Sequence, residues 1–191
     1  MEGVDAAAST PSFANGDGLG ADEREGDRMT TDWKARVEQV WADDALTDQE
    51  RIARIDALAM ERDPDDPVAL FERAGARDSA GVEDEAEALY RRALEGGLDP
   101  YRRTRARIQL ASTIRNLGKI DEALRMLGDA YDDSIGGPLH DEASAFYALA
   151  LASAGDPLRG LSISLQALAP HLSRYTRSVA GYARELGSRR D

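Results

Sequence analysis

Apolar residues recur at helical spacing along nearly the whole chain from Asp32 onward. Trp33, Val37, Val40 and Trp41 follow the i, i+4, i+7, i+8 steps of one helical face. Ile52, Ile55, Leu58 and Ala59 form a second stripe, and Thr47-Asp48-Gln49-Glu50 in front of it has the form of a capping box. Three further helix starts share another device: Asp66-Pro67, Asp99-Pro100 and Asp156-Pro157 each offer an aspartate cap followed by proline. Proline is tolerated there because its missing N–H has no helical partner to lose. Gly96-Gly97 and Gly136-Gly137 read as helix terminators. Tyr175, Val179, Tyr182, Ala183 and Leu186 predict a last amphipathic helix. The expected fold class is all-α.

The helical pattern also repeats. Gly81, Gly118 and Gly155 stand 37 residues apart. The same offset links Ala74, Ala111 and Ala148, then Ala86, Ala123 and Gly160, then Ala93, Ala130 and Ala167. Each glycine is expected to close the turn between two helices, where a left-handed backbone is least costly for it. The small residues are expected where helix backbones approach too closely for larger ones.

On these columns the chain resembles the tetratricopeptide repeat family, of bacterial type. The second unit carries Leu110-Ala111-x-x-Ile114, Gly118, Ala123-x-x-x-Leu127 and Ala130; the third carries Tyr147-Ala148-x-x-Leu151, Gly155, Gly160-x-x-x-Ser164 and Ala167. The first carries Ala86-x-x-x-Tyr90 and Ala93, but Arg73 and Arg77 stand in columns the family fills with apolar groups. The resemblance implies a right-handed α-solenoid of antiparallel helix hairpins with a C-terminal capping helix. The division expected is an acidic disordered tail (1–31), a degenerate hairpin (32–66), three repeats (67–168), and a capping helix with a short tail (169–191). Because the family's usual period is shorter, an extra helical turn is expected near the start of each first helix.

Charge and composition narrow the function. Residues 1–31 hold seven acids against Arg24 and Arg28, with turn formers and little apolar surface to offset ordering entropy. The net charge of −12 argues against nucleic-acid and anionic-membrane surfaces, which need cationic patches. No cysteine is present to supply a disulfide, thiolate or metal ligand. His140 and His171 lack the spacing of a metal pair; His140 reads as part of a helix start and His171 as a loop residue. No phosphate-loop spacing and no G-x-S-x-G elbow occurs. No catalytic, cofactor or metal site is therefore expected. Residues 1–5 lack the basic start and apolar stretch of a signal peptide, so a cytosolic protein is expected.

What remains is a binding surface. In the family, ligands lie on the face made by the first helices. Carried across, those positions give Val68, Phe71, Gly75, Asp78 and Ser79 from the first unit, Arg105, Ile108, Ser112, Arg115 and Asn116 from the second, and Glu142, Ala145, Leu149, Ala152 and Ser153 from the third. The groove is assigned to Phe71, Arg105, Ile108, Ser112, Arg115, Asn116 and Leu149 among them. Arg105 and Arg115 are expected to fork onto one carboxylate, and Asn116 to hold a peptide backbone. The Lys and Asn pairs of the family's chaperone-binding carboxylate clamp are absent. The expected role is a non-catalytic protein- or peptide-binding scaffold. The alternative is a homo-oligomer, associating end to end or through the Trp33/Trp41 hairpin.

Overall fold

The computed structural model describes residues 19–188. Its helices run α1 (Leu19–Ala42), α2 (Asp48–Ala59), α3 (Pro67–Ser79), α4 (Glu83–Glu95), α5 (Pro100–Asn116), α6 (Ile120–Asp133), α7 (His140–Ser153), α8 (Pro157–Leu168) and α9 (Thr176–Ser188). A 3-10 turn, Ala169–His171, joins the last two, and no strand occurs among the described residues. Each helix packs chiefly on its neighbours in sequence. In addition α3 touches α5 and α5 touches α7, so the first helices of successive hairpins line one face.

The local signals act as their chemistry requires. Thr47 accepts the Glu50 N–H while Glu50 accepts the Thr47 N–H, closing both halves of the capping box. Asp66, Asp99 and Asp156 each cap a helix whose first residue is proline. Gly81, Gly118 and Gly155 have φ of +71°, +81° and +91°. After each, the next residue's N–H reaches back five residues: Val82 to Arg77, Lys119 to Ile114 and Asp156 to Leu151. These bonds satisfy carbonyls that the helix end leaves open. One turn chemistry thus sets the angle of all three hairpins.

Small residues then let the layers meet. Ala74, Ala111, Ala86, Ala123, Ala93 and Ala130 are buried, and Leu70, Tyr90, Leu110 and Ile114 fill the space around them between α3 and α6. Ile108, Leu127, Tyr147, Leu151 and Ile163 continue the core toward α8. At the other end Trp33, Val37, Val40, Ile55 and Leu58 pack under α3, and Trp33 Nε1 donates to the Leu58 carbonyl at 2.8 Å.

Arg73 and Arg77, the two misfits of the first repeat, form an ion network in place of apolar contacts. Arg77 bonds Asp56 at 2.8 Å and Glu85 at 2.7 Å, and Arg73 bonds Asp56 at 2.8 Å. Burial pushes the Asp56 carboxyl up, but hydrogen bonds and charge from Arg77 and Arg73 outweigh it and hold the group below its ordinary value.

Three expectations need correction. Helix α1 begins at Leu19, so residues 19–31, assigned to the tail, are helical; residues 1–18 lie outside the described residues. Once the Trp33 face is docked, extending a helix toward its start costs little. The extra turn occurs only in α5, with 17 residues against 13 in α3. Before α7 the added length is loop, Ser134–Leu139, because Gly136-Gly137-Pro138 opposes helix. Tyr175 and Tyr182 do not dock α9; they are 75% and 71% exposed. The helix seats instead through Ala183 and Gly187, and Ser162 Oγ donates to the Ala183 carbonyl at 2.7 Å.

Candidate functional site

A cavity of about 650 Å³ opens between α1, α3 and α5. Trp41 closes one side, its indole close over Gly75, where a Cβ would meet it at 3.4 Å, within ordinary van der Waals contact. The indole Nε1 donates to Glu72 Oε2 at 2.8 Å, giving the buried N–H its required partner. Arg51 lies 5.6 Å from the Trp41 ring centre and ties down the end of α1 by donating to the Val40, Trp41 and Asp43 carbonyls. Phe71 walls the cavity from α3 at 2% exposure.

The polar groups of the cavity differ in what they have left to bond. Asp78 accepts from Thr113 Oγ1 at 2.8 Å and Tyr90 OH at 3.4 Å, a fixed cross-link of α3, α4 and α5. Arg102 pairs with Asp99 at 2.8 Å. The Arg105 guanidinium lies 5.3 Å from the Phe71 ring centre and 6.0 Å from that of Tyr101, without a hydrogen bond or ion pair among the described residues. Gln109 Oε1 is buried without a partner. Glu72 has its second oxygen free. Burial pushes the Glu72 and Asp78 carboxyls above their ordinary range, against the pull of Trp41 and nearby arginines for Glu72, and of Thr113 and Tyr90 for Asp78.

The predicted groove residues divide. Phe71 and Arg105 line this cavity, together with Gly75, Asp78 and Ser79. Ile108 does not: at 4% exposure it packs in the core with Ala111, Leu127 and Tyr147. Arg115 and Asn116 lie at the far end of α5, where Arg115 donates to Ser153 Oγ at 3.4 Å and Asn116 to Glu83 Oε1 at 2.8 Å. Ten helical steps separate Arg105 from Arg115, about 15 Å of rise, so the two cannot fork onto one carboxylate. Ser112 is part-buried on α5 and Leu149 is 49% exposed on α7; neither borders the cavity, nor do Val68, Glu142, Ala145, Ala152 and Ser153. Trp41, Glu72, Gln109, Lys34 and Glu38 border it but are absent from the predicted set. A buried indole N–H in need of an acceptor was the signal available for the first two.

The histidines stand apart from the site. His140 opens α7, its Nδ1 3.2 Å from Ser134 Oγ, and His171 lies in the 3-10 turn, 2.9 Å from Asp141. No cluster of three or more His, Cys, Asp or Glu suited to a metal ion occurs among the described residues. None of their helices is long and apolar enough to cross a membrane.

Stacked hairpins closed by left-handed glycines, with their first helices aligned on one face, define a helical-repeat protein of the solenoid class. The tetratrico peptide repeat family matches residues 67–186, and the chain belongs to that family. The match runs through α9, beyond the last repeat read from the columns. Repeats of this kind generally mediate protein–protein interaction. No curated protein matches the sequence.

Proposed function

We propose that this protein is a non-catalytic, cytosolic binding scaffold that seats a peptide segment of a partner in the cavity between α1, α3 and α5. One observation carries the reading: unspent hydrogen-bonding groups converge where the helices leave space. Arg105 offers free N–H donors and Gln109 a buried free carbonyl one turn along the same helix. A peptide backbone presents the complementary pair at every residue. The three-repeat division (67–168), with its preceding hairpin (32–66) and capping segment (169–191), belongs to the same proposal. In it the preceding hairpin supplies a wall of the site. The double variant Arg105→Glu, Gln109→Ala is expected to lose captured partner on the order of tenfold, about 1.4 kcal/mol, with its helical circular dichroism unchanged. Equal capture by wild type and variant in affinity purification would overturn the assignment.

A second reading, self-association, is favoured by another surface. Leu158, Leu161 and Leu168 on α8, with Tyr175 and Tyr182 at α9, are large apolar side chains left exposed at the C-terminal end. Solenoids need polar caps to stay apart. If this end pairs copies, wild type sediments faster as concentration rises and Leu161→Glu does not. A wild-type monomer at all concentrations removes this reading.

A further inference from the structure

The cavity is not uniform from rim to floor. Lys34 and Arg105, its unpaired cations, are exposed. The groups set deeper are acceptors: the free oxygen of Glu72 and the buried Gln109 carbonyl, beside an Asp78 already satisfied by two hydroxyls. Among the cavity's part-buried residues Arg102 is the one cation, and Asp99 holds it. The Trp41 indole and the Phe71 ring are apolar walls of the same cavity.

This order suits a long side chain with an apolar stem and a cationic head. We propose that the cavity anchors an arginine or lysine of the bound polypeptide, its head on Glu72 and its stem along Trp41 and Phe71. The inference rests on the peptide-binding reading and names its ligand chemistry. A charged donor bonded to a carboxylate is roughly twice as strong as a neutral pair, and the stem covers apolar wall while the head finds its acceptor. Aromatic faces contribute less than their number suggests, because Arg51 already lies against Trp41 and Arg105 against Phe71. An acidic anchor would place its charge beside the Glu72 and Asp78 carboxyls. The ligand backbone at the rim bonds Arg105 through its C=O.

The test is selection of a random heptapeptide library, displayed on phage, against the full chain. Enriched peptides are expected to share one position held by arginine or lysine. In solution, replacing that residue by norleucine is expected to cost on the order of tenfold in affinity for wild type. Against Glu72→Gln the same replacement is expected to cost nothing further, since the carboxylate is gone. The glutamine keeps a carbonyl for the Trp41 N–H, and unchanged circular dichroism verifies the fold. Basic peptides indifferent to Glu72→Gln overturn the anchor. Peptides with an acidic or apolar anchor that still lose binding to Arg105→Glu overturn it as well, and leave the groove standing. No enrichment, or peptides insensitive to both Arg105→Glu and Gln109→Ala, defeats the groove and the anchor together.

Discussion

Asp56→Ala is expected to destabilise the protein by about 3 kcal/mol, a fall in Tm of roughly 10 °C for a chain of this length. Asp56 is the acceptor shared by Arg73 and Arg77, and Arg77 is only 8% exposed. Truncating the aspartate leaves a buried guanidinium with Glu85 and the Arg73 carbonyl, and breaking a buried pair costs more than the pair ever contributes. The effect depends on pH with a definite sign. The folded-state value for Asp56 lies below the ordinary one, so its contribution is complete above the unfolded value near ~3.9 and is lost as pH falls through the folded value. The gap between wild type and Asp56→Ala in chemical unfolding should therefore be constant at neutral pH and narrow in acid. A gap that widened in acid would contradict the assignment.

Gly160→Ala is the second large effect. Alanine is the residue of this column in the other two repeats, yet here a Cβ would stand 2.6 Å from the Ala148 carbonyl oxygen. That neighbour is backbone within α7 and cannot swing aside as a flexible side chain would, so α8 must move. Overpacking of this severity costs about 3 kcal/mol, and the better helix propensity of alanine offsets about 1. The remaining ~2 kcal/mol should fall on one end of the stack, because repeats couple chiefly to their neighbours. Hydrogen exchange is expected to show lost protection in α8 and α9 with α3 to α5 unchanged. Uniform loss, or none, would refute the close-contact account.

How much of this was legible in the sequence depended on the range of the interaction involved. Caps at Thr47, Asp66, Asp99 and Asp156 and the left-handed Gly81, Gly118 and Gly155 are decided within a few residues, and their chemistry could be read directly. Arg73 and Arg77 showed as departures, but the group that explains them, Asp56, lies on a helix outside the repeat register. Ile108 occupied a column assigned to the groove, and only the arrival of α7 and its Tyr147 makes that position interior. Gly160 looked interchangeable with Ala86 and Ala123, since a difference of one methyl in helix separation leaves no trace in a column of small residues. The site itself was half visible. Phe71 and Arg105 followed from the family's geometry, whereas Trp41 and Glu72 form a contact across 31 residues, between a recognised repeat and a hairpin that no repeat column reached.

That cross-hairpin contact also means that the stretch matched by the family and the lining of the cavity are cut at different places. A fragment beginning at residue 67 would retain everything the family match covers, with its turns and most of its core. It would lose Trp41, Lys34 and Glu38, one whole wall of the cavity, and would leave the Glu72 carboxyl facing water. The repeated part of the molecule supplies α3 and α5 to the cavity, and the helix in front of it, outside the family match, supplies α1.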